Sequence, residues 1–131
     1  MNARPSPSIG AITLFVADVQ ASRQWYQRVF DVPVVFEDPS SAVVQFGPTM
    51  VNLLAVGEAP ELIAPAAVAD PAAGAALQFT IWVDDVDARC AAMAASGARL
   101  VNGPIDRVWG QRTALFADPD GHLWELAQTI S

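Results

Sequence analysis

With 131 residues, 53% of them hydrophobic and 16% charged, the chain suffices for one domain with its own core and is too short for two. Its formal charge is −7, and its seven basic residues, all arginine, are scattered from position 4 to position 112. That spacing argues against nucleic acid as a partner, because phosphate contacts need a positive patch. No apolar run approaches the roughly 18 residues of a membrane-spanning helix, so no membrane association is expected.

The first ten residues carry one arginine and no apolar stretch, and read as a loose tail rather than an export signal. Residues 10–17 then alternate around Ile12, Leu14 and Val16, the period-two pattern of a strand. A helix is predicted over 19–30, with Val19, Tyr26, Val29 and Phe30 on one face and Asp18 placed to cap its first turn. Three strands follow, at Val32–Glu37, Ala42–Phe46 and Met50–Val56.

Gly57–Ala75 is rich in alanine and proline and reads as a linker with one helical turn near Glu61–Ala64. Beyond it the pattern repeats. A strand over 77–83 alternates around Leu77, Phe79, Ile81 and Val83, and a helix over 86–96 is capped by Asp85. Strands at Arg99–Asn102, Thr113–Ala117 and Leu123–Gln128 complete the set, with a turn at Asn102-Gly-Pro. Leu14-Phe-Val-Ala-Asp-Val19 matches Ile81-Trp-Val-Asp-Asp-Val86 at an offset of 67 residues, so the chain is an internal duplication of βαβββ modules spanning about 10–56 and 76–128.

Cys90 lies on the apolar stripe of the second helix. As the single cysteine it cannot form an internal disulfide or a zinc-ligand pair, and no base accompanies it, so it is expected to pack as a small apolar residue. A lone thiol and the absence of an export signal point to the cytoplasm.

The stretch Ala117-Asp-Pro-Asp-Gly-His-Leu-Trp-Glu-Leu126, with Trp109-Gly110 before it, resembles the vicinal oxygen chelate superfamily of glyoxalases, bleomycin-resistance proteins and extradiol dioxygenases. The resemblance covers roughly residues 10–128. It implies an α+β fold in which two βαβββ modules form a curved mixed sheet, a half-barrel around a groove, with helices on the outer face. It also implies homodimers, whose modules pair within one chain or between two.

In that superfamily a metal is held by one residue from the first and one from the last strand of each module. Those positions fall here on Ala11, Asn52, Gln78 and Glu125. A methyl group donates nothing, and two amides compete poorly with water for zinc, nickel or iron. No cofactor is therefore expected, and the alternative is a hard divalent cation held weakly by Glu125, with Gln78 beside it. No catalytic residue is assigned unless the protein is an enzyme, in which case Glu125 serves as base or metal ligand. His122, opposite in parity to Glu125, is expected in the turn with an exposed ring.

If Gln78 and Glu125 face the groove, strand alternation puts Thr80 and Trp82 there too, with Thr13, Phe15, Asn52 and Leu54 from the first module. Ile12, Leu14, Phe79, Ile81, Trp124 and Leu126 point the other way, toward the helices, so Phe15 and Trp82 are surplus to the core. They read either as a stacking platform or as part of a dimer interface. Trp109 and Arg112 sit near the groove mouth, where Arg112 pairs with an acidic ligand group or with Asp106 or Asp118. The residues point to metal-independent binding of a small flat, aromatic or cationic molecule. Through the resemblance, that extends to sequestering an antibiotic or toxic metabolite. The alternative is a metal-dependent isomerase, lyase or dioxygenase using Glu125, and a third possibility is an interaction protein without a ligand.

Overall fold

The computed structural model describes residues 6–130. Residues 6–10 precede the first strand without regular structure, whereas positions 1–5 of the expected tail, Arg4 among them, lie outside the described residues. The order is β1 (Ala11–Val16), α1 (Val19–Phe30), β2 (Val34–Asp38), β3 (Ser41–Phe46) and β4 (Thr49–Ala55). After the linker come β5 (Gln78–Trp82), α3 (Val86–Ala95), β6 (Arg99–Arg107), β7 (Gln111–Ala117) and β8 (Leu123–Thr129). Each βαβββ module makes one four-stranded mixed sheet, β1-β4-β3-β2 and β5-β8-β7-β6, in which the first strand runs parallel to the last.

The helices begin where short carboxylates can satisfy free backbone amides. Asp18 accepts from the Ala21 amide at 3.0 Å, and Asp85 accepts from the Ala88 amide at 3.0 Å. α1 ends at Asp31, left-handed with φ 54°, whose amide donates to the Gln27 carbonyl. The linker holds a 3-10 turn at Val56–Glu58 and the short helix α2 (Ala59–Ile63), which overlaps the turn expected at Glu61–Ala64. A second 3-10 turn at Pro71–Ala73 is capped by Asp70.

Strand alternation sends one face of each sheet to the helices, and the two helix-facing sides share a single core. Phe46 of the first sheet stacks on Trp124 of the second at 4.9 Å between centroids. Tyr26 and Phe30 of α1 meet the same indole at 5.7 and 5.2 Å, and Phe79 meets it at 4.7 Å. Burying each such ring stabilises by about 1.5–3 kcal/mol, and each favourable ring pair adds about 0.5–1.5 kcal/mol. Polar contacts reinforce this joint: Arg28 Nε donates to the Ser96 carbonyl at 2.6 Å, and the Ala17 amide to Asp120 Oδ1 at 2.8 Å. Because both helix-facing sides meet here, each sheet turns its other face outward, away from the common core.

The expected turn at Asn102-Gly-Pro is not a turn. β6 continues through it to Arg107, and the sheet register slips on either side of Asn102. Gly103 makes this feasible. At φ +85° it takes a backbone conformation that strains other residues, and a Cβ there would lie 2.4 Å from the Thr113 carbonyl oxygen. The chain therefore bulges and resumes pairing instead of reversing.

Candidate functional site

On the open face of the second sheet, the pairings set Thr80 beside Glu125 and Glu125 beside Leu115, while Trp82, Ala127 and Thr113 form the next row. The Thr80 hydroxyl donates to Glu125 Oε1 at 2.9 Å. Glu125 is half-buried, Thr80 and Gln78 are exposed, and Trp82 is 67% exposed, an indole with one broad face in solvent. Glu125 thus finds its hydrogen-bond partner in Thr80, one strand away.

The first sheet carries the matching set. Thr13 pairs with Asn52 and Phe15 with Leu54; Thr13 is exposed, Phe15 and Asn52 are half-buried and Leu54 is buried. The four positions of the expected chelate fall in pairs, Ala11 with Asn52 and Gln78 with Glu125, each pair on adjacent strands but two residues out of direct register. One carboxylate, two amides and a methyl do not fit a transition-metal site, and Thr80 already occupies one oxygen of that carboxylate.

Arg112 lies elsewhere. Paired with Gln128, it sits on the helix side of β7, held at 3.0 Å by Asp87 and at 2.8 Å by Asp106, with Asp118 not involved. Those hydrogen bonds keep its guanidinium still more firmly protonated. Trp109, at the tip between β6 and β7, is 64% exposed and donates Nε1–H to Gln111 at 3.0 Å. Cys90 is buried, and burial followed by the nearby Asp87 charge raises its thiol pKa.

His122 does not have the exposed ring expected of it. Its side chain is 25% exposed, and Nδ1 lies 2.7 Å from Asp118 Oδ2. The Asp-Pro-Asp-Gly turn folds around a buried carboxylate that recruits the ring. Asp118 Oδ1 accepts from the amides of Asp120 and His122, while Oδ2 also accepts from the Tyr26 hydroxyl at 2.6 Å. Trp124 Nε1 in turn donates to Tyr26 at 2.9 Å.

Burial opposes protonation of His122, but the bond to Asp118 and the charges of Asp118 and Asp120 outweigh it, so the net shift is upward. For Tyr26, burial and then the charge and hydrogen bond of Asp118 push the hydroxyl far above its ordinary range. Asp118, Asp120 and His122 bring one ligand atom each within 4.8 Å of one another, yet protein donors already fill both Asp118 oxygens. The cluster is a hydrogen-bonded joint between the modules.

Two features escape a reading of the sequence. Tyr26 looks like one more apolar position on α1, and only its contact with a turn in the other module reveals its hydroxyl's role. Arg107 is hidden by ending β6 at Asn102; the parity of a strand running from Arg99 to Arg107, read through the bulge, is what places it on the open face.

A family profile described as the Glyoxalase/Bleomycin resistance protein/Dioxygenase superfamily matches residues 8–126. Among solved structures, the chain is similar to a glyoxalase-related enzyme from Fulvimarina pelagi, with TM-score 0.82 and 25% identity over 93% of this chain and 88% of that one. It is also similar to a glyoxalase/bleomycin resistance protein/dioxygenase from Nocardioides, with TM-score 0.85 and 20% identity over 98% and 87%. TioX from Micromonospora sp. ML1 aligns with TM-score 0.70 and 27% identity over 94% and 99%. A curated relative, Uncharacterized protein Rv0887c of Mycobacterium tuberculosis, is 37% identical over 57 residues, a stretch covering 44% of this chain and only 34% of that protein. The family match spans nearly all of the duplicated βαβββ framework described above, and the chain belongs to the glyoxalase/bleomycin resistance protein/dioxygenase superfamily.

Proposed function

We propose that this protein binds a small, flat organic molecule without a metal, and that it acts in the cytoplasm by sequestering an antibiotic or toxic metabolite. The observation that carries this is Trp82, an indole 67% exposed on a sheet face that also presents Thr80 and the half-buried Glu125. An exposed tryptophan beside hydrogen-bonding groups is suited to stacking a planar ring and fixing its orientation.

The two open faces point away from the common core, so one chain does not close a groove between them. Two copies placing the first sheet of one against the second sheet of the other would bring Thr13, Phe15 and Asn52 opposite Gln78, Trp82 and Glu125. A homodimer is therefore part of the proposal, with Trp109 at the rim.

The test is a thermal-shift screen of aromatic natural products against the purified protein, with light scattering for mass and elemental analysis for metal. Expected are a dimer of the 13.9 kDa chain, at least one stabilising ligand, and loss of its shift in Trp82→Ala while the far-ultraviolet dichroism stays intact. Stoichiometric metal coordinated by Glu125 would instead establish the metal-dependent isomerase, lyase or dioxygenase reading.

A further inference from the structure

Arg107 differs from two other guanidiniums that have acidic partners. Arg23 lies 3.0 Å from Glu37, and Arg112 is flanked by Asp87 and Asp106. Arg107 ends β6 opposite Gln111, and its side chain crosses toward β7 on the open face. Nε donates to Thr113 Oγ1 at 2.9 Å, Nη2 reaches Asn102 Oδ1 at 3.5 Å, and the guanidinium carbon lies 5.8 Å from the Trp109 ring centroid.

These contacts orient the guanidinium without neutralising it. Among the described residues no carboxylate lies within 4.0 Å of it. The adjacent Asp106 does not help, because alternation sends it to the helix side of the strand, where Arg112 holds it. Thr113 is 1% exposed, so the half-buried Arg107 is anchored on a buried oxygen, while its Nη1 donates to none of the described residues. A cation partly removed from water gains most from an anion whose planar oxygens match its fork.

We propose that Arg107 recognises a carboxylate on the ligand, so that the flat molecule taken by the open face is an aromatic acid. This rests on the groove reading above and deepens it by naming the ligand's charge. The net charge of −7 opposes an anion little at this face, because ionic screening at physiological salt limits the reach of distant surface carboxylates to about 8 Å.

The experiment titrates the intact protein, by tryptophan fluorescence and calorimetry near neutral pH, with naphthalene-2-carboxylate and with the neutral, isosteric 2-naphthamide. The carboxylate is expected to bind about tenfold more tightly or better, as a charge-assisted, two-point hydrogen bond warrants. In Arg107→Gln the ratio of the two affinities is expected to fall to near one. Arg107→Lys keeps the charge, loses the fork and should retain part of the preference, which serves as the test if the glutamine variant fails to fold. Equal binding of both probes, or a preference that survives Arg107→Gln or is undiminished in Arg107→Lys, overturns the inference and leaves the groove reading standing. Binding of neither probe overturns both.

Discussion

The Tyr26 hydroxyl donates to Asp118 Oδ2 at 2.6 Å across 92 positions of sequence, joining the first helix of one module to the last turn of the other. Tyr26 is 0% exposed, and its oxygen is also the acceptor for Trp124 Nε1. Tyr26→Phe keeps the ring packing, removes a bond to a buried acid and strands the indole donor. Urea unfolding is expected to show a loss of about 1.5–3 kcal/mol. A loss below about 0.5 kcal/mol would mean that water replaces the hydroxyl without cost.

The His122 and Asp118 pair makes stability depend on pH in a defined direction. The imidazole pKa is raised above 6.5 in the folded protein. The stabilisation is therefore complete below 6.5 and is lost as the pH rises through the raised value. The urea midpoint should fall across that interval, and His122→Gln should remove that part of the pH dependence. A midpoint that rises over the same interval would contradict the assignment.

Gly103→Ala combines a left-handed backbone with a Cβ that would sit 2.4 Å from the Thr113 carbonyl oxygen. Strain at that backbone conformation costs about 1–2 kcal/mol, and overpacking typically adds about 1–3 kcal/mol. A thermal melt should show a substantial decrease. Because β6 and β7 are forced apart next to Thr113, preference for naphthalene-2-carboxylate should weaken with it.

Cys90 is 6% exposed, with its pKa raised first by burial and then by Asp87. A thiol-specific disulfide reagent should leave the native protein unmodified for many times the period in which it reacts fully in denaturant. Rapid native labelling would show that α3 opens locally.

Chelation should change little. With one carboxylate, two amides and a methyl at the four expected ligand positions, dialysis against EDTA is expected to leave both the melting temperature and naphthyl-probe binding where they were. A fall in either would restore the case for a cation at Glu125.

The duplicated strands and helices were legible because alternation and capping act locally. Asp18 and Asp85 cap as their positions imply, and Ile12, Leu14, Phe79, Ile81, Trp124 and Leu126 all join the core. The parity argument also carries Thr13, Thr80, Trp82 and Glu125 to open faces, since register follows from period two. What stayed hidden depends on contacts between the modules or on backbone irregularity. The Asn102-Gly-Pro sequence has turn chemistry, and only the close approach of Thr113 shows why Gly103 bulges a strand there instead. His122 looked exposed because nothing nearby in sequence indicates that Asp118 is 4% accessible and turns inward beneath Tyr26.

The bond from the Ala17 amide to Asp120 Oδ1 breaks the symmetry of the duplication. The second module sends an Asp-Pro-Asp-Gly turn into the junction between β1 and α1, whereas the corresponding hairpin of the first module is a bare Gly47-Pro48 with no carboxylate to return the favour. The repeats look alike as chain traces but have ceased to be interchangeable parts. Expressing either alone would leave Trp124 and Phe79 on one side, or Tyr26 and Phe46 on the other, as bare aromatic surface. The protein is in this sense a lock and key fused into one chain, and it is divisible in sequence but not in folding.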